Sequence, residues 1–205
     1  MFSPRDAGLE RGWPGRIEGD HVIQLAAQTL QSFFTGGGTA REHAGFRLDE
    51  VVLRAPVLHP PAVRIFDADG DFRFANPTAI VGPDDTVRLP EGADEIVPVL
   101  RIAAVIGAEG AIAGFTLMND WLAPALPGTK AHDFAISLGP VVVTREETDG
   151  GAGWDARLER AARNTTLLPG DVLAGPGVAQ PPAGEGAAVE LRAAPFGSLR
   201  NSVAR

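Results

Sequence analysis

The chain contains no cysteine, which removes disulfides and thiol chemistry. It has no apolar run of about 18 residues, the length a spanning helix needs. Its first residues, MFSPRDAGLERGW, lack the apolar stretch of a secretory leader. These absences together point to the cytoplasm. No Lys/Arg-rich run occurs either, and the net charge is −8, so neither a nucleic acid nor an anionic membrane is an expected partner. A small anionic ligand would need locally concentrated positive charge. The most pointed scarcity is lysine: of 18 basic residues all but Lys130 are arginine. Arginine cannot replace lysine as a compact point donor or as a group that titrates when desolvated, so Lys130 is a candidate functional side chain.

What is present is enough for a full core. With 205 residues and 44% apolar content the chain fits one compact unit, read as a small N-terminal β/α segment over 1–60 and a core over 61–205. Residues 15–25 alternate around Glu-Gly-Asp and predict a β-hairpin. Residues 25–34 have helical spacing, ended by the glycines at 36–38. That glycine run is not followed by the Lys-Ser or Lys-Thr of a phosphate loop. His43 falls in a polar stretch read as helical and solvated; residues 48–57 read as a strand, and His59 beside two prolines as a loop residue. Asp-Ala-Asp-Gly-Asp at 67–71 lacks the terminal Glu of a calcium loop, and its flanks read as strands, so it predicts a turn. Residues 76–90 give a strand, a turn at 82–85 and another strand. Residues 154–167 carry apolar side chains at helical spacing, among them Trp154, Leu158 and Ala161 or Ala162, and the Leu-Pro-Gly-Asp turn at 168–171 ends the stretch; 189–203 read as two closing strands.

The centre of the chain is IVPVLRIAAVIGAEGAIAGFTLMND, 96–120. Its first half is apolar on both faces of a strand, the pattern of a strand covered on both sides. Arg101 interrupts it on the face shared by Val97, Val99, Ala103 and Val105. A buried guanidinium without an anion costs several kcal/mol, so it requires a partner. The second half is another buried strand ending at Asn119 and Asp120, and Asp120 is the candidate.

Five blocks, AAVIG (103–107), IAGFTLMND (112–120), KAHDFAISLGPVVVT (130–144), LLPGDVLAGPG (167–177) and VELRAAPFGSLRNSV (189–203), resemble the fumarylacetoacetate hydrolase family in order and sense. The resemblance runs from about residue 61 onward. It implies a mainly β fold with some α, a mixed β-roll or curled sandwich with few short helices, and a homodimer. In that family a Glu-x-Glu pair and the Asp of the AsnAsp block hold a divalent metal. Counting back from Gly107 places the pair at Val99 and Arg101, so Asp120 is the only surviving ligand-type position. Mg2+ is expected only if that alignment is wrong, and otherwise no cofactor. The family's lid histidine has no counterpart between Phe66 and Phe74, and its substrate-holding Gly-Thr is replaced by Pro176 and Gly177.

By the same resemblance Lys130 would contact the oxygen of a bound oxo-acid. His132 is the remaining candidate base, since histidine ordinarily titrates near neutrality. The candidate catalytic residues are therefore Lys130, Asp120 and His132, and the candidate substrate-binding residues Arg101, Lys130, Asn119 and Gly177. The Arg101 guanidinium is expected to stand in for the metal electrostatically. The function read from this pattern is a metal-independent isomerase, cyclase, dehydratase or decarboxylase acting on a small anionic oxo-acid or dicarbonyl. Two alternatives remain open: a non-catalytic relative that binds a ligand or an intact relative of the family, and a divergent metal-dependent hydrolase.

Overall fold

A computed structural model of the chain describes residues 1–8 and 12–205. The N-terminal part contains β1 (Phe2–Pro4), β2 (Gly15–Glu18), β3 (His21–Ala26), α1 (Leu30–Phe34), β4 (Thr39–Arg47) and β5 (Val51–Leu53). β1 pairs with β5, and β2, β3 and β4 form a separate antiparallel sheet. The hairpin at 15–25 is present as expected. The helix is shorter than its spacing predicts: β3 keeps residues to Ala26, and Thr29 caps α1 by accepting from the Ser32 amide at 3.0 Å. His43 lies on β4, exposed, and not on a helix. Pairing along β3 overrides the weak local preference of that polar segment. Residues 48–50 form a 3₁₀ turn, so the strand expected at 48–57 shrinks to β5.

The rest of the chain builds an eight-stranded curled sheet. Its strands are β6 (Val63–Phe66), β7 (Phe72–Ala75), β8 (Ile80–Val81), then, after β9 (Thr86–Arg88) and β10 (Glu95–Ile96), β11 (Val99–Ile106), β12 (Ile112–Asp120) and β13 (Ile136–Thr144). Helix α2 (Trp154–Ala162) precedes β14 (Val172–Ala174), β15 (Val178–Ala179) and β16 (Ala183–Gly184), and β17 (Ala188–Ala193) and β18 (Gly197–Ala204) close the chain. The order across the sheet is β7-β6-β14-β11-β12-β13-β8, with β15 also on β11. β17, β18 and β9 form a smaller sheet packed against it.

Both faces of the large sheet are covered, which explains why β11 and β12 are apolar throughout. One face carries Phe66, Ala104, Phe115, Leu117 and Leu173 under Trp154 of α2 and Leu199 of β18. The other carries Val63, Ile65, Ala103, Met118, Leu138 and Ala174. Register keeps these sets apart, since Ala104 opposes Phe115 and Leu173 while Ala103 opposes Thr116 and Ala174. The Asp-rich segment at 67–71 is the turn joining β6 to β7, closed by Asp67 N–H to Asp71 O at 2.9 Å and by Gly70 at φ +87°. Gly150, just past β13, has φ +68°, and a Cβ there would lie 2.5 Å from the Phe115 ring. Its carbonyl accepts from Trp154 Nε1 at 2.9 Å, which ties the loop to α2. Gly150→Ala is therefore expected to destabilise the fold by about 2–3 kcal/mol in urea denaturation, because strain and overpacking act together.

Candidate functional site

The central strands deliver three positions to one end of the second face. Leu100 opposes Asn119 and Arg101 opposes Met118, so Val99, Arg101 and Asp120 share that face. Asp120 ends β12 and its side chain is 0% exposed; the Arg101 side chain is 9% exposed. Arg101 donates to Asp120 Oδ2 through Nε at 3.1 Å, and its Nη2 lies 3.0 Å from the same oxygen. Nη1 donates to the carbonyls of Gly175 at 2.9 Å and Phe66 at 3.3 Å. The anion that Arg101 requires is thus Asp120, and backbone carbonyls take its remaining donors.

A second guanidinium reaches the same carboxylate from the far edge of the sheet. Arg73 on β7 opposes Ile65 on β6, which opposes Ala174, which opposes Ala103. All lie on one face, and the curl brings Arg73 back over it. Its Nη2 donates to Asp120 Oδ1 and Oδ2, each at 2.7 Å. Arg73 is 31% exposed, and among the described residues its Nε and Nη1 have no acceptor. Sequence reasoning missed it for a physical reason. Phe72 and Phe74 flank Arg73, and alternation puts the two rings on the opposite face, which reads as the inward one. In fact Phe74 is exposed and lies against Arg64, 5.3 Å from its guanidinium carbon. A charge between two aromatics on a hairpin of a doubly covered sheet was the available signal.

The other expected residues divide. His132 joins the cluster: its Nδ1 is 3.2 Å from Arg73 Nη2 and 3.8 Å from Asp120 Oδ1, and its side chain is 30% exposed. A guanidinium only donates, so Nδ1 accepts and the ring proton of the neutral form sits on Nε2. This arrangement offers an N–H donor where a free base was expected. Gly177 also belongs here. A Cβ on it would fall 2.5 Å from Val99 Cγ1 and 2.9 Å from Arg101 Cζ, so only glycine lets the chain pass. Lys130 does not converge on Asp120: it lies in a 3₁₀ turn and not on a strand, its side chain is 72% exposed, and Nζ pairs with Asp133 at 2.8 Å. Asn119 points to the opposite face of β12 and its Oδ1 accepts from the Val99 amide at 2.9 Å, a structural bond.

The cluster is cationic overall: two guanidiniums face one carboxylate. Burial pushes the Asp120 carboxyl up, but the charges of Arg73 and Arg101 and the hydrogen bonds from Arg73 outweigh it and hold the group below the ordinary carboxylate value. These donors do not fit a divalent metal. Both Asp120 oxygens are taken by guanidiniums, Val99 offers hydrocarbon, and among the described residues no three His, Cys, Asp or Glu side chains converge as a ligand set. A hard cation requires about six oxygens. An apolar cavity of about 520 Å³ lies elsewhere, between the N-terminal elements and β13, lined by Phe2, Leu25, Phe34 and Val142 among others. It contains none of these residues.

Solved structures share this architecture. Maleylpyruvate hydrolase from Sphingobium sp. SYK-6 superposes with a TM-score of 0.78 at 19% identity, over 95% of this chain and 96% of that one. That enzyme has also been solved with manganese(II) and pyruvate, at a TM-score of 0.77. A 2-hydroxyhepta-2,4-diene-1,7-dioate isomerase from Mycobacterium marinum gives 0.72 at 25% identity, over 90% of this chain and 88% of that one. An uncharacterized Mycobacterium abscessus protein gives 0.73 at 26% identity, over 93% and 94%. No family sequence model and no curated protein matches the chain.

The two arginines are expected to separate in their effect on stability. Arg101→Met leaves a fully buried carboxylate half-served and should cost about 3–5 kcal/mol, whereas Arg73→Met, at a partly exposed position with Arg101 still in place, should cost less. Because the Asp120 carboxyl titrates below its unfolded value, its contribution is present at neutral pH and is lost as pH falls through the folded value. The gap between wild type and Arg101→Met in urea midpoint should therefore narrow below about pH 4.

Proposed function

Because the chain is a divergent fumarylacetoacetate hydrolase-like protein, sharing its fold with hydrolases and isomerases, we propose that it acts on a small anionic oxo-acid, binding the carboxylate at Arg73 and stabilising an enolate without a divalent metal. The observation that carries this reading is the division of labour between the arginines. Arg101 is saturated by Asp120, Gly175 O and Phe66 O, while among the described residues the Nε and Nη1 donors of Arg73 have no acceptor, beside His132. Those N–H groups are charged donors, each able to bond an oxygen of a bound anion. Arg101 is then a positioning residue, and Asp120 the fixed anion that orients Arg73.

The site supplies donors and no free base, which favours one reaction among those the sequence leaves open. Isomerisation, dehydration and cyclisation each require a proton to be removed by a base. Decarboxylation of a β-oxo acid does not. The bond to the β-carboxylate breaks, its electron pair moves into the carbonyl to give an enolate, and CO2 departs. A proton from water then completes the ketone and leaves hydroxide. Arg73 would hold the remaining carboxylate, and His132 Nε2–H would hydrogen-bond the developing enolate oxygen. Lys130 could enter this scheme only by leaving Asp133.

A second reading, binding without turnover, is supported by the same shortage of bases. One experiment separates them. Oxaloacetate incubated with chelator-treated protein is expected to release CO2, and Arg73→Met to slow that release by about a hundredfold or more. Saturable oxaloacetate binding by wild type with no CO2 release would instead assign the protein to the binding class. Turnover that required added Mn2+ and ignored Arg73→Met would overturn both.

A further inference from the structure

We infer that the place on Asp120 where a divalent cation could sit is filled by side-chain cations, and that Arg73 and Arg101 keep free metal ions out of it. This inference concerns what occupies Asp120 and holds whether or not the protein turns over an oxo-acid.

Three backbone positions already converge as a cation site requires. Val99 and Arg101 alternate on β11 and face Asp120 on β12. Their side chains meet beside Gly177, where a single point lies 2.5 Å from Val99 Cγ1 and 2.9 Å from Arg101 Cζ. Carboxylates at 99 and 101 would therefore join Asp120 around one small volume, giving the charge and oxygen count a hard dication needs. The chain places hydrocarbon at one of these positions and a guanidinium at the other. Arg73 arrives from a different strand to occupy the second oxygen of Asp120 at 2.7 Å. The repulsion on an incoming dication is then doubled. It must displace two charge-assisted bonds from a carboxylate that is 0% exposed, and it meets two like charges as it does so. Arg101 has its own acceptors at Gly175 O and Phe66 O, so the backbone fixes it in that role.

The test is conversion of the site, read by Mn2+ binding in calorimetry and by Mn2+-dependent thermal shift. Wild type is expected to give no saturable Mn2+ binding and no shift. Val99→Glu/Arg101→Glu/Arg73→Met is expected to bind one Mn2+ at least about a hundredfold more tightly than wild type, and to melt higher as Mn2+ is added. Should the triple variant not fold without metal, it is prepared in MnCl2, and the single variant Arg101→Glu is titrated with and without Arg73→Met; tighter binding in the absence of Arg73 is the expected order. Saturable Mn2+ binding by wild type that Asp120→Asn abolishes would overturn the inference. So would folded carboxylate variants that bind Mn2+ no better than wild type.

Discussion

A carboxylate removed from water is held in its charged form only by the cations around it, and here that carboxylate is Asp120. Arg101 reaches it from the adjacent strand and Arg73 from the opposite edge of the sheet. The ion cluster therefore links strands that are separated by β6 and β14 in the hydrogen-bonded order. Much of the local structure follows from accommodating it. The chain passes Arg101 between β14 and β15 with glycine at 175 and 177, one lending its carbonyl and the other the space that a side chain would fill. The cluster is anchored by packed strands and not by loops, and that rigidity suits a binding site.

Another buried ion pair in the sheet shows by contrast what is particular about this one. Arg64 and Asp171 meet at 3.2 Å on the other face, with side chains 7% and 2% exposed. Asp171 also accepts from the Leu168 amide at 3.1 Å, and Arg64 lies against the rings of Phe72 and Phe74. That pair closes the turn before β14 and leaves no donor edge facing outward. Around Asp120 the geometry is asymmetric: one guanidinium is enclosed, and the other keeps a third of its surface exposed, with Nε and Nη1 lacking acceptors among the described residues.

The parts of this arrangement that a sequence reveals are those governed by short-range geometry. Period-2 alternation put Arg101 on the face of Ala103, the demand of a buried guanidinium pointed to Asp120, and the Asp-rich turn and α2 followed from spacing within a few residues. Arg73 was not legible because its partner lies 47 residues away across a curl that no local pattern encodes. Nor was the fate of Lys130: the strand of its block starts only at Ile136, and Lys130 falls in the 3₁₀ turn before it, where its side chain is exposed. Position 119 misled for a simpler reason. It adjoins Asp120 in sequence, and adjacency on a strand means opposite faces.

Strand β7 has one further consequence. It is the outermost member of its sheet, bonded to a neighbour along a single side, and it carries the cation that completes the cluster. Edge strands are the first to fray, so each excursion of β7 withdraws one guanidinium from Asp120 and bares the carboxylate's other oxygen to water. The charge balance at Asp120 is thus tied to an edge strand, and any contact that braces that strand also sets how the cluster is charged.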